Sequence, residues 1–138
     1  VVKKQAARYR KLLLAQGKNV SDGMVAVNRT AFLAETDKKA RSEGKPYVSQ
    51  VLNFYGKMGS IEDHQGNPLD PQDDLFEAVG EEIVLVGTPQ KCLESLQRYH
   101  DEAGVDQFNL RISPGNMPFE LVQRTITLLG EEVLPHFQ

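Results

Sequence analysis

The stretch DQFNLRISPGNMP, Asp106–Pro118, decides how this chain is read. Its first half alternates as a strand does, with Phe108, Leu110 and Ile112 on one face and Asn109, Arg111 and Ser113 on the other. Ser113-Pro114-Gly115-Asn116 stops the strand, and Pro118 opens a helical pattern. A strand covered by helices on both sides is expected to be apolar on both. This one sets a guanidinium and two small polar groups along one face.

A second segment, MVAVNRTAFLA at Met24–Ala34, has the same character. It is short, rich in Val and Ala, and bounded by Gly23 and by Glu35-Thr36-Asp37, so it reads as a strand. One face carries Val25, Val27, Ala31 and Leu33, with Arg29 as the exception; the other carries Ala26, Asn28, Thr30 and Phe32. Alternation leaves two arrangements open. The polar faces line a closed barrel that holds a ligand near the strands' carboxyl ends, or they belong to exposed edge strands.

Helical patterns surround these strands. The first spans about Val2 to Gln16, with Tyr9, Leu12, Leu13 and Leu14 as apolar contacts and Gly17 as its stop. Thr36 caps a helix from Asp37 to near Gly44, and Pro46 starts a second with Val48, Val51, Leu52 and Tyr55 at helical spacing. The segment GSIEDHQGNPLDPQDD reads as loop by composition. A short apolar run, Ile83 to Val86, leads into Gly87-Thr88-Pro89, where Thr88 is a good N-cap and Pro89 suits the first helical position. Leu93, Leu96, Tyr99 and Ala103 form the buried stripe of that helix, and Gly104 ends it. The last helix runs from Pro118 to about Leu134 with Phe119, Val122, Ile126, Leu129 and Val133 inward. No hairpin joins the two strands, so the long helical crossover makes them parallel.

Composition narrows the function. The 138 residues are 40% hydrophobic and 25% charged, as in an ordinary globular domain with one core. A net charge of −3 excludes a general nucleic-acid binder; Lys3, Lys4, Arg8, Arg10 and Lys11 read as a solvated helix face. No apolar run is long enough to cross a membrane. The lone Cys92 excludes an internal disulfide and favours a reducing, cytoplasmic setting, with the thiol as a small core residue. His64, His100 and His136 have no metal-ligand spacing, and the aspartates of the loop lack the alternation of a calcium site, so no metal is expected. The Gly87-Thr88 turn is a weak candidate for cradling a phosphate at a helix N-terminus. No catalytic triad order and no dinucleotide-binding glycine pattern is present.

Three segments carry a resemblance. VAVNRTAFLAETDKKAR, VGTPQKCLESLQRYHDEAGVDQFNLR and PGNMPFELVQRTITLLGEEVLPHF resemble, in order and spacing, the late part of bacterial-luciferase-like flavin-dependent monooxygenases. The resemblance covers most of the chain and is weakest from Ser60 to Asp74. It implies the C-terminal part of a (β/α)8 barrel, with Met24–Ala34 as strand seven and the opening stretch as strand eight. Asn28, Thr30, Asn109, Arg111 and Ser113 would then face flavin or substrate at the barrel mouth. Asn28 and Thr30 stand where some relatives carry charged or imidazole groups, which leaves them hydrogen-bonding roles and leaves the catalytic residues unassigned.

The cofactor implied for the complete protein is FMN, acting with oxygen on a small organic substrate. A barrel of this type needs ~250 residues, and the sequence starts inside a helical pattern without Met. The chain is therefore expected to be one C-terminal portion of a longer barrel, inactive and without bound flavin when alone. It is also expected to form a homodimer or larger assembly, because two torn strands expose ladder edges and the stripes Leu12–Leu14 and Val48–Tyr55 lose their cover. The rival readings are a non-enzymatic α/β binding or assembly domain and a relative that uses a deazaflavin.

Overall fold

The structure, a computed structural model, describes residues 1–63 and 65–137. Helix α1 (Val2–Ala15) leads into strand β1 (Ala26–Leu33). Helices α2 (Asp37–Lys57) and α3 (Leu75–Ile83) precede strand β2 (Val84–Gly87) and helix α4 (Pro89–Ala103). Strand β3 (Gln107–Arg111) and helix α5 (Phe119–Leu128) follow, and α5 continues through a π turn at Leu129–Val133.

The three strands form one sheet in the order β2-β1-β3, and both pairings are parallel. The expected parallel crossover is thus present, but two strands have become three. The run read only as a short apolar stretch pairs with β1 and covers one of the two edges expected to be open. The pairing is staggered. β3 lies along the first half of β1, from Ala26↔Gln107 to Thr30↔Arg111. β2 lies along the second half, from Thr30↔Val84 to Leu33↔Gly87. Where β3 ends, α5 takes over its bonding: the Leu33 N–H donates to the fully buried Thr125 Oγ1 at 3.1 Å, and Arg124 Nε donates to the Leu33 carbonyl at 3.3 Å.

Each face of the sheet has its own core. Ala31, Leu33 and Leu85, with Phe108 and Leu110 beside them, pack under Cys92 and Leu96 of α4 and under Leu129 and Val133. Phe32 on the opposite face packs beneath Val48 and Leu52 of α2, with Ile61, Leu75 and Phe76. Burying a side chain of this size contributes about 1.5–3 kcal/mol.

Helix α2 departs from the expectation of two helices broken before Pro46. It is continuous because Pro46 sits on the exposed side, where water can bond the carbonyl that the missing N–H leaves free, while Gly44 and Val48 are buried on either side of it. Gly44 also lets the helix lie directly on the sheet: a Cβ there would stand 2.6 Å from Phe32 Cδ1. The Thr36 cap is as expected, its hydroxyl accepting from the Lys39 N–H at 3.2 Å.

Helix α3 has no counterpart in the sequence reading. Asp74 caps it through the Glu77 N–H at 3.2 Å, and Leu75, Phe76 and Val79 bury one side. Its other side is tied to α2 by exposed ion pairs, Lys45 to Asp74 and Glu77 at 2.7 and 2.6 Å and Arg41 to Glu77 at 2.7 Å.

Two stripes also need correction. In α5, Phe119 and Ile126 face solvent, because Phe119 opens the helix beyond the sheet's cover and Thr125 turns inward to meet the Leu33 N–H. The Val48–Tyr55 stripe is not bare, since Val48 and Leu52 belong to the core. Leu12 and Leu14 of α1 are exposed, and Ala6 is the buried residue of that helix. Arg10 anchors α1 instead, donating from Nη1 and Nη2 to the Ala103 and Gly104 carbonyls at 2.8 and 2.6 Å. Those are carbonyls left over at the end of α4, where Gly104 takes a left-handed φ of 61°.

Candidate functional site

The register sets Thr30 and Arg111 side by side, and alternation puts Asn28 on the same face of β1. All three line a cavity of about 370 Å3 between this face and α2. Val51, Leu52, Tyr55, Ile61, Ile83 and Val84 supply much of the remaining wall. This volume falls within the range of pockets for small organic ligands. The cavity has a polar floor and an apolar wall.

Arg111 is half-buried and held by one side chain. Its Nη2 donates to Tyr55 Oη at 3.1 Å, and its Cζ lies 5.7 Å from the centroid of the Tyr55 ring. Among the described residues it forms no ion pair, which leaves the other guanidinium donors for a ligand. Thr30 is 6% exposed and Asn28 is open to solvent. Glu62 stands at the rim, its Oε2 3.9 Å from where a Cβ on Gly66 would be.

Arg29, the exception on the apolar face, has its own partners. Its Nε donates to Tyr99 Oη at 2.9 Å and its Nη1 to the Asn28 carbonyl at 2.8 Å, with Cζ 4.9 Å from the Tyr99 ring centroid. The Tyr99 hydroxyl in turn donates a hydrogen bond to the Glu82 carbonyl. Arg29 is thereby a tie between β1, α4 and the last turn of α3.

Other candidates lie elsewhere. Asn109 shares the face of Arg111 but is exposed, where its Oδ1 accepts from Gln107 Nε2 at 3.0 Å. Ser113 lies past the end of β3 and is exposed. At the Gly87-Thr88 turn, the Thr88 N–H donates to Asp37 Oδ1 at 3.2 Å, and a Cβ on Gly87 would meet that oxygen at 2.8 Å. A phosphate there would meet a carboxylate already in place, so the turn serves as a helix start, with Thr88 Oγ1 accepting from the Lys91 N–H.

Burial pushes the Cys92 thiol up to about 12, as befits an inert core group. His100 Nδ1 lies 3.0 Å from the Val105 carbonyl, and His136 is exposed; His64 lies outside the described residues. Among the described residues no group of three or more His, Cys, Asp or Glu could hold a metal ion, and no helix is long and apolar enough to cross a membrane. Tyr55 is the site residue that sequence reading missed. In the sequence it is one more apolar position in a helical stripe, and only the register of β3 brings Arg111 beneath it.

Parallel strands joined by helical crossovers, with a cavity beside Thr30 and Arg111 next to the Phe32 core, are the kind of α/β unit from which a (β/α) barrel is built. The family model described as luciferase-like monooxygenase matches residues 1–107, and the chain belongs to that family. The monooxygenase RslO1 from Streptomyces bottropensis superimposes with a TM-score of 0.75 at 26% identity, over 99% of this chain and 38% of its own. The oxygenating constituent of 3,6-diketocamphane monooxygenase from Pseudomonas putida, a type II Baeyer–Villiger monooxygenase in complex with FMN, gives 0.69 at 20% identity. It is covered over 97% of this chain and 39% of its own, and at that identity it speaks for the fold alone. No curated protein matches the sequence. The chain thus spans 38% and 39% of the length of these two structures.

Proposed function

We propose that this chain forms the C-terminal part of a flavin-dependent monooxygenase barrel and supplies one wall of its active site. The observation that carries the reading is the shared face of Asn28, Thr30 and Arg111, turned toward a cavity in a chain of the luciferase-like family. The residues fit one end of a flavin or of its substrate. Arg111 offers charge and a planar fork of donors, Asn28 and Thr30 offer hydrogen bonds, and Val51, Leu52 and Ile61 offer a surface for an apolar body. When bound, reduced FMN would supply the electrons for oxygen activation. This wall would orient the reacting molecule and keep water from it.

The complete barrel carrying this sequence should transfer one atom of O2 to an organic substrate in the presence of reduced FMN, with the other leaving as water, and the isolated chain should give no oxygenated product. Absence of flavin-dependent substrate oxygenation by the complete barrel would overturn the reading. Turnover by the isolated chain would move the site elsewhere. A reducing, cytoplasmic setting agrees with the single buried thiol.

Self-association belongs to the same proposal. Among the described residues the outer edge of β3 has no strand partner, and Leu12 and Leu14 remain 53% and 59% exposed. The chain should form a homodimer through these surfaces. Sedimentation over a wide dilution range tests it, and a compact monomer at low micromolar concentration would overturn it.

A further inference from the structure

We infer that the cavity between α2 and the sheet binds an anionic group carried on a flat apolar body, and that Tyr55 is the positioning residue that aims Arg111 at it. The inference deepens the ligand-facing reading of this face and rests on it. Three features of the cavity support it. Arg111 is a half-buried cation with no carboxylate partner among the described residues, and such a charge is costly to bury without a counter-ion. Its guanidinium is fixed rather than free: the Tyr55 hydroxyl accepts one of its protons at 3.1 Å, and the ring stands 5.7 Å from Cζ. The wall facing it is aliphatic, from Val51, Leu52, Ile61 and Ile83, and suits a ring rather than a sugar or a peptide.

Tyr55 is itself on a firm support. Leu52, one turn earlier in α2, is buried against the sheet, and Phe54 packs edge-on to Tyr55 with ring centroids 5.5 Å apart. Because α2 lies on Phe32 through Gly44, the hydroxyl is held at a set height above β3. A planar guanidinium with one corner fixed presents its remaining donors in one plane, which matches a carboxylate or a phosphate ester bidentately. The carboxylate of Glu62 stands at the rim and would disfavour an anion entering along that side. The anionic end is therefore directed to the Thr30–Arg111 floor.

The test titrates the 138-residue chain with benzoate, phenyl phosphate and neutral benzamide, following amide resonances by NMR at constant ionic strength. Benzoate or phenyl phosphate should shift the signals of Thr30, Tyr55 and Arg111 and bind about tenfold or more tightly than benzamide. The tighter of the two anions identifies the anionic end as carboxylate or phosphate. Tyr55→Phe keeps the ring and the packing, and should lose about tenfold in anion affinity while leaving benzamide unchanged. Arg111→Lys should abolish the preference for a bidentate anion. Equal binding of charged and neutral ligands, or shifts confined to residues outside the cavity, would overturn the proposal. So would a Tyr55→Phe variant with full anion selectivity. None of these results depends on flavin chemistry: a complete barrel that turns over flavin while this selectivity is absent removes the inference alone.

Discussion

The two halves of β1 differ more than its two faces do. From Thr30 onward both faces are buried, Phe32 under α2 and Ala31 and Leu33 under α4 and the final helix, with β2 alongside. From Ala26 to Arg29 the strand keeps β3 but has no described partner on its other edge, and Ala26 and Asn28 are open. The residue types follow this division: Phe, Leu and Ala at the covered end, Asn and Arg at the open one. Thr30 and Arg111 sit at the boundary, which is where a polar group can be both positioned by the core and reached by a ligand.

The covered half should dominate stability. Phe32→Ala removes a fully buried ring from beneath α2 and should cost about 3–5 kcal/mol in a urea-unfolding experiment. An equivalent change in the open half, Asn28→Ala, should fall within about 0.5 kcal/mol. Comparable costs at the two positions would erase the distinction between the halves.

A smaller effect is expected where α5 completes the bonding of β1. Thr125→Val keeps the volume and leaves the buried Leu33 N–H without an acceptor, which should cost about 1–3 kcal/mol. Hydrogen exchange at the Leu33 amide should speed up while exchange at Val27 stays unchanged. If both amides respond together, the two halves behave as one unit.

The smallest effect concerns the ion pairs between α2 and α3. A hydrogen bond from Lys45 holds the Asp74 carboxyl below its ordinary value, and Lys45 followed by Arg41 does the same for Glu77. A carboxylate whose folded value is depressed stabilises the fold fully above its unfolded value and loses that contribution as pH falls through the folded one. The contribution should therefore be whole at neutral pH and decline below the ordinary carboxylate range near pH 4. These groups are well exposed, so Lys45→Met should flatten the acid limb of the stability profile only slightly, and added salt should mimic it.

Much of this was legible in the sequence, for identifiable reasons. Period-two alternation separates the faces of β1 and β3, because one face is apolar along both strands apart from Arg29, while the other is covered only where Phe32 meets α2. It could not report depth. Asn28, Asn109 and Ser113 look equivalent to Thr30 and Arg111 in a list of alternating residues, yet Asn109 turns to Gln107 and Ser113 lies past the strand's end. Depth depends on which helix lies over the strand, and the sequence of α2 reads as two helices because Pro46 normally breaks one. Its exposed position removed that penalty. The four residues of β2 were too short to separate from the end of α3, and Tyr55 was hidden in a stripe whose spacing suits a core. The Thr36 and Thr88 caps were readable because a cap is a local hydrogen bond.

The central claim is that the boundary between the two halves faces a ligand, and Arg111 is its most direct probe. In the complete barrel, Arg111→Ala should cost about 1.5–3 kcal/mol in kcat/KM or in ligand binding, because a charge-assisted bond to the ligand is lost from a partly desolvated site. Arg111→Lys should recover only part of that loss, since an ammonium cannot reproduce the planar fork. Folded variants that both keep the kinetics of the parent would contradict the account and leave Arg111 as no more than Tyr55's structural partner.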